Sequence, residues 1–145
     1  MSLAGTRAAD RLFGTEADRG PPDASGFLGY WRNTIPETSR IRELVIRATD
    51  DGGLSIRIWG ATGAAPSDWG VRPAEAFACI EENAVQAAAL LAVYDFGFMS
   101  TELQLRLNKG ILPLMSFSTF KDGSGRSNYY TREFFYLSAE ARPPC

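Results

Sequence analysis

The chain contains no histidine among its 145 residues. Without this residue neither a Ser-His-Asp nor a Cys-His nucleophilic system can form, and His-ligated zinc, iron and copper sites are excluded. The two cysteines, Cys79 and Cys145, lie too far apart in the sequence to suggest a zinc site. We therefore predict no metal and, because no Walker or dinucleotide-binding motif is present, no cofactor. Any catalysis would have to use carboxylates, tyrosine, lysine or arginine, so the sequence leaves open whether the protein is an enzyme.

An excess of positive charge is also absent. The chain has 15 Lys and Arg against 17 Asp and Glu, a formal net charge of −2, which predicts no nucleic-acid partner. The longest apolar run, 87–93, is far shorter than the ~18 residues of a membrane-spanning helix, so no membrane span is predicted. The N-terminus lacks a basic start followed by an apolar segment, and we expect a cytoplasmic location. The sequence makes no prediction of oligomeric state.

Gly, Pro and acidic residues divide the two ends of the chain from its centre. Residues 1–25 are predicted to be a flexible N-terminal tail or short helix, because 3–13 has scattered apolar points and 14–25 is rich in turn residues. We place a single domain at 26–138 and a C-terminal tail at 139–145. Cys145 follows two prolines at the chain end, so a buried Cys79 and a frayed Cys145 are expected rather than a disulfide.

Between these ends, eight short runs with the character of β-strands are separated by turn residues. The clearest is 54–59, where Leu54, Ile56 and Ile58 alternate with more polar neighbours. Residues 85–96 contain alanines that suit a helix equally well, but the β-leaning end before Gly97 favours a strand. These runs predict an all-β fold, either a barrel or a sandwich. Together with the Gly-x-Trp at the head of the first strand, they favour a single up-and-down antiparallel barrel of eight strands. The predicted strands are 27–34, 41–48, 54–59, 71–78, 85–96, 101–107, 111–120 and 128–137, with a loop at 60–70.

The first of these strands carries Gly29-Tyr30-Trp31. This Gly-x-Trp opening resembles the start of the first strand in lipocalins and other calycins, which are closed β-barrels. The resemblance implies that Trp31 is a structural plug at one end of the barrel. It further implies an arginine stacked on that tryptophan through a cation–π contact, namely Arg132 or, as the less favoured choice, Arg126.

A second set of motifs resembles a group of small bacterial β-rich proteins of uncertain function. Those proteins often carry a Cys pair near a Pro-x-Asp-x-Asp-Trp-Gly stretch. Ala61 and Ser67 stand at the matching positions here, so the crosslink is missing, which fits a reducing compartment or simply a diverged loop. The motifs in this chain are Trp31-x-Asn33, Arg40-Ile41, Trp59-Gly60 and Pro66-x-Asp68-Trp69-Gly70.

The lumen of the predicted barrel is the expected place for function, since an eight-stranded barrel is just wide enough to be filled or to hold one small ligand. The small alanines of 85–96 predict free volume beside them. Tyrosine hydroxyls could orient a mostly apolar ligand, and a carboxyl buried in an apolar lumen would have a raised pKa. The predicted ligand-binding residues of lumen and mouth are Tyr94, Phe96, Tyr129, Glu133, Phe135, Ser116 and Trp69.

Three functions remain open at this point. The first is a barrel that binds a small apolar molecule in its lumen. The second is a protein–protein interaction module with a filled barrel, in which exposed Trp59 and Trp69 anchor the partner. The third is a cofactor-free cyclase or isomerase that shapes an apolar substrate in the lumen, with tyrosine and glutamate for proton transfer.

Overall fold

The computed structural model describes residues 20–62, 65–79 and 85–143, so the predicted tail or helix over 1–19 lies outside the described residues. One 3₁₀ turn, Ser25–Phe27, precedes eight strands. The strands are β1 (Gly29–Asn33), β2 (Ile41–Ala48), β3 (Leu54–Thr62), β4 (Ala65–Ala78), β5 (Ala87–Asp95), β6 (Met99–Arg106), β7 (Ile111–Phe120) and β8 (Tyr129–Leu137).

The eight strands form one closed barrel in chain order, with every neighbour antiparallel and β1 paired to β8. The predicted eight-stranded up-and-down fold is thereby confirmed, and its architecture is compatible with that of the calycins. The β1–β2, β3–β4, β5–β6 and β7–β8 connections lie at one end, which we call the mouth end. The 3₁₀ turn and the other three connections lie at the opposite, closed end.

Alternation along the strands sends one face of each into the barrel. Buried side chains occupy the inward positions, as the period of two predicted, and among the seven residues predicted for the lumen and mouth Tyr129 is the one that is strongly exposed, at 46%. The closed half of the barrel is filled by large apolar side chains that contribute most of the buried apolar area. These include Leu44, Ile46, Ile56, Leu90, Leu103, Leu105, Leu112, Leu114 and Phe135.

Two hairpins differ in how well the sequence predicted them. The Asn108-Lys109-Gly110 turn is confirmed: Lys109 and Gly110 both have positive φ, and Asn108 and Ile111 exchange backbone hydrogen bonds. The predicted loop at 60–70 is wrong, because β3 and β4 continue pairing as far as Thr62 and Ala65. The backbone hydrogen bonds between β3 and β4 thus outweigh the loop preference of the Gly and Pro residues in this segment. Alanine-rich β5 is a strand, as predicted.

The glycine of the Gly-x-Trp motif lets β1 approach β8 closely. Gly29 has φ +136°, and a Cβ placed there would lie 2.7 Å from Leu137 Cδ1. Two residues later Trp31 is 2% exposed in the core, and its Nε1 donates a hydrogen bond to the Phe27 carbonyl oxygen at 2.8 Å. The 3₁₀ turn that carries Phe27 therefore tethers this buried tryptophan.

The arginine that was expected to stack on Trp31 lies elsewhere. Arg132 is exposed on the outer face of β8, with its guanidinium carbon 5.1 Å from the Phe134 ring centroid. Arg126 instead covers Phe120 at 4.2 Å. The predicted Trp31–Arg132 contact is therefore wrong, because the strand alternation that buries Thr131 and Glu133 turns Arg132 outward.

The C-terminal residues fold back over the outside of the barrel. Arg142 donates from Nε to Glu43 Oε1 at 2.5 Å, and its guanidinium carbon lies 3.6 Å from the Trp59 ring centroid. Tyr30 donates to the second Glu43 oxygen at 2.6 Å, and burial beside Glu43 raises the pKa of Tyr30 to about 12. Trp59 faces outward as predicted, but this segment covers it and leaves it only 6% exposed.

The other end of the predicted tail also contacts the barrel. Asp23 forms a parallel bridge with Gln86: its N–H donates to the Val85 carbonyl, and its own carbonyl accepts from Ala87. Ala24 is buried in the core. The described part of the N-terminal segment thus packs against the barrel from residue 23 onward. Within the described ranges, no helix has the length and apolar character needed to cross a membrane.

Candidate functional site

A cavity of about 190 Å³ opens at the mouth end of the barrel interior. It lies between the β1–β2 connection, the end of β3 and the inward faces of β6, β7 and β8. None of the lining residues in the described part of the chain comes from β5, so the free volume is not beside the alanines that predicted it. The lining residues are Ser39, Arg40, Ile41, Gly60, Ala61, Trp69, Met99, Thr101, Ser116, Ser118, Tyr129, Thr131 and Glu133.

One wall of the cavity is a belt of four buried hydroxyls on three adjacent strands. Thr101 on β6 and Ser118 on β7 are cross-strand partners, and their hydroxyl oxygens are 2.9 Å apart. Ser116 and Thr131 form the equivalent hydrogen-bonded pair between β7 and β8. A hydroxyl has one donor and two acceptor sites, so each pair keeps bonding capacity for a further group. The upper lumen is therefore polar, whereas the closed half is apolar.

Glu133 stands at the inner edge of this wall and is only 8% exposed. Its Oε1 accepts a hydrogen bond from Asn33 Nδ2 at 3.0 Å and a longer one from Thr38 Oγ1 at 3.4 Å. The Asn33 amide also donates to the Ile41 carbonyl and accepts from the Ile35 N–H, which fixes its orientation. Glu133 Oε2 is buried and has no hydrogen-bond partner among the described residues.

Burial raises the pKa of Glu133, and the hydrogen bond from Asn33 and the charge of Arg40 only partly oppose this shift. An acid with a raised pKa binds its proton more tightly in the folded chain than in the unfolded one. It therefore stabilises the fold fully below its ordinary pKa of 4.5, and this contribution is lost as the pH rises through the folded-state value.

Glu133→Gln, which cannot ionise, should remove this pH dependence. As the pH rises from 4 towards 7, the free energy of unfolding of Glu133→Gln should increase relative to that of the parent. Urea unfolding at several pH values measures it. Glu140→Gln, on the exposed C-terminal segment, is the matched control and should leave the parent's profile unchanged. A parallel pair of pH profiles for parent and Glu133→Gln would contradict the assignment.

Arg40 lies at the entrance of the same cavity and is exposed. Its backbone N–H bonds to Thr38 Oγ1, but its guanidinium has no ion-pair or hydrogen-bond partner within the described ranges. Arg40 and Glu133 are the two charged groups among the described lining residues. The cavity thus carries a negative group at depth and a positive group at its rim.

Of the seven residues predicted to bind a ligand, Ser116, Glu133, Tyr129 and Trp69 line the cavity. Trp69 reaches it from a strand rather than from the predicted loop. The register passes from Ile58↔Gly70 to Trp59↔Asp68, so Trp69 is the extra residue of a β-bulge. Such bulges re-aim a side chain. Gly60 makes room for the indole, because a Cβ there would lie 2.6 Å from Trp69 Nε1.

The other three predicted residues lie below or beside the cavity. Tyr94 is buried and donates to the Gly70 carbonyl at 2.8 Å, and burial raises its pKa. Phe96 packs edge-on against Trp69 with 5.2 Å between ring centroids. Phe135 is fully buried in the apolar half. None of these three rings is among the described residues that line the cavity.

Sequence reasoning missed Arg40 and Thr38 as parts of the site. Both belong to the β1–β2 connection, a stretch that reads simply as a turn around Pro36. The sequence marks Asn33 only as part of the Trp31-x-Asn33 motif, without its partner. No local signal pairs these residues with Glu133, since Asn33 and Glu133 are 100 positions apart.

The fold and the site together define a small closed β-barrel with an apolar half and a polar cavity at its mouth end. Comparison with protein-family models and with curated proteins finds no match to this chain.

Proposed function

We propose that the barrel binds a small polar molecule in its mouth-end cavity. The observation that supports this most strongly is Glu133, a buried carboxyl that lines the cavity and has one oxygen unsatisfied by any described residue. Buried polar atoms are nearly always paired, so such an oxygen calls for a partner. The neighbouring hydroxyls supply the few convergent polar groups that are typical of ligand sites.

The size of the cavity limits the ligand. Its 190 Å³ corresponds to about six water molecules at roughly 30 Å³ each. Fully buried leucines, isoleucines and Phe135 fill the lumen below, so a long apolar chain has no room in this packing. The sequence favoured an apolar ligand. The polar wall and the filled closed half favour a small polar one instead.

We also propose that this barrel is related to the calycins. It is supported by the closed barrel of eight strands and the Gly-x-Trp opening, whose Trp31 is buried. The position of Arg132 departs from the calycin pattern. A cytoplasmic location likewise stays a prediction.

A fragment titration followed by ¹H–¹⁵N NMR tests the proposal. With a set of neutral, cationic, anionic and zwitterionic fragments, amide shifts should cluster around Thr101, Ser116 and Thr131. Ala61→Phe places a ring in the cavity and should weaken binding at least tenfold. Ala48→Phe makes the same change at an exposed site of the closed end and should leave binding unchanged. Shifts confined to the outer surface, or equal loss in both variants, would refute a mouth-end site.

The two alternative functions fare differently. Trp59 is covered by Arg142, and Trp69 packs inside against Tyr94 and Phe96, so neither presents the exposed anchor that the interaction module required. A cofactor-free cyclase or isomerase stays a prediction, with Glu133 and Tyr129 as the acid–base groups that border the cavity.

A further inference from the structure

The charges of the cavity carry a sharper inference, which rests on the proposed function. We propose that the ligand is a small zwitterion, whose cationic amine meets Glu133 at depth and whose carboxylate meets Arg40 at the rim. A molecule of the amino-acid type has this polarity. The inference stands on the two charged lining residues, their different depths and their unoccupied bonding positions.

At the inner end of the cavity, the ligand has to supply a hydrogen-bond donor. Glu133 Oε2 can accept hydrogen bonds and has none from the described residues, while Oε1 is already bonded to Asn33. An ammonium group offers three donors, and a charge-assisted hydrogen bond is roughly twice as strong as a neutral one. The hydroxyl oxygens of the Ser116–Thr131 and Thr101–Ser118 pairs have spare acceptor positions, which can accept hydrogen bonds from its remaining N–H groups.

The outer end calls for an anion. The Arg40 guanidinium is exposed at the entrance, and its planar fork matches a carboxylate in bidentate geometry. Asp95 and Asp122, acidic residues elsewhere at the mouth end, are bound to Lys121 and Arg126 respectively. Among the described residues that line the cavity, Arg40 is the one cation.

The charge balance favours a ligand with both groups over a ligand with one. Glu133 and Arg40 compensate each other in the empty cavity, and the Arg40 charge lowers the Glu133 pKa across it. A simple amine would leave an excess positive charge beside Arg40, and a simple carboxylate would place a second negative charge near buried Glu133. A zwitterion aligned against the two residues keeps the site neutral while it satisfies both ends.

Isothermal titration of the full chain with matched probes tests this inference. Glycine, 4-aminobutyrate and 6-aminohexanoate vary the charge separation, while butylamine, butyrate and butanol remove one or both charges from the middle probe. We expect one of the zwitterions to bind at least tenfold more tightly than butylamine, butyrate and butanol. Mono-functional probes that bind as well as the best zwitterion would overturn the inference.

Two variants separate the two ends of the ligand. Glu133→Gln should weaken binding of the zwitterion and butylamine at least tenfold, and it should bind butyrate at least as tightly as the parent because a like charge is removed. Arg40→Gln, at an exposed position that should not disturb folding, should weaken binding of the zwitterion and butyrate and bind butylamine at least as tightly as the parent. If both variants bind the zwitterion as tightly as the parent does, the inference is overturned.

The failure of this inference is distinguishable from failure of the proposed function. If neutral or singly charged fragments bind in the cavity and the zwitterions do not, the ligand class is wrong but the binding site stands. If no fragment of any class shifts the cavity amides, both are overturned, and water alone occupies the space.

Discussion

Trp31→Ala is expected to lower the free energy of unfolding by about 3–5 kcal/mol, the usual range for removing a large buried aromatic side chain. Trp31 is 2% exposed and packs in the core with Phe27 at the closed half of the barrel. The alanine variant loses this apolar area, leaves a void and frees the Phe27 carbonyl that Nε1 now bonds. Urea unfolding of parent and variant measures the difference.

Two control variants identify what Trp31 contributes. Trp31→Phe keeps most of the apolar area but loses the 2.8 Å bond to Phe27, so it should cost much less than the alanine variant. Arg132→Ala should cost less than about 0.5 kcal/mol, as is usual for exposed positions. Its effect should add to that of Trp31→Ala, because the two side chains do not touch. If the two losses of unfolding free energy are strongly non-additive, Arg132 stacks on Trp31 as the calycin resemblance implied.

Arg142→Ala is expected to cost about 1.5–3 kcal/mol, the range for hydrogen bonds to charged groups. The change removes the Arg142 hydrogen bond to Glu43, and among the described residues only the side chain of Tyr30 then still binds this carboxylate. It also exposes Trp59, which the Arg142 guanidinium covers. Breaking one side of a buried ion pair is costly because the other charge stays desolvated. A lower unfolding midpoint and a rise in Trp59 fluorescence quenching by acrylamide would report the loss.

A double-mutant cycle separates the ion pair from the packing on Trp59. Arg142→Ala and Glu43→Gln should be less than additive, since both remove the same bond. Arg142→Lys keeps the charge but not the flat guanidinium that lies over the indole, and it should recover only part of the loss. Arg47→Ala, at an exposed site on β2, is the matched control and should be nearly neutral. If Arg142→Ala is equally neutral, the C-terminal segment does not stabilise the barrel.

The candidate site was only partly accessible from the sequence. Ser116 and Glu133 could be placed in the lumen because alternation along a strand fixes which face a residue occupies. Trp69 was found for the wrong reason: a bulge that no local pattern announces turns it into the cavity. Arg40 could not be found at all, since a charged residue beside a turn has an ordinary solvent-exposed explanation.

The sequence by itself determined the class of fold. Alternation in β3 and β6 and turn residues at regular intervals indicated an all-β barrel or sandwich, and the Gly-x-Trp opening favoured the barrel. Its Gly-x-Trp motif also indicated a buried Trp31, and the glycine two residues earlier permits the close approach of β1 to β8. These features are local, and local backbone sterics and side-chain period are sufficient to express them.

Only the tertiary structure decided where the barrel is empty and what covers its outside. The cavity exists because hydroxyl-bearing residues of β6, β7 and β8 meet at one end, while leucines of β6 and β7 meet Phe135 of β8 at the other. Asn33 reaches Glu133, and Arg142 reaches Glu43, across about 100 positions of chain. Such pairs depend on barrel closure and on the path of the termini. Those are set by the whole chain and not by any segment of it.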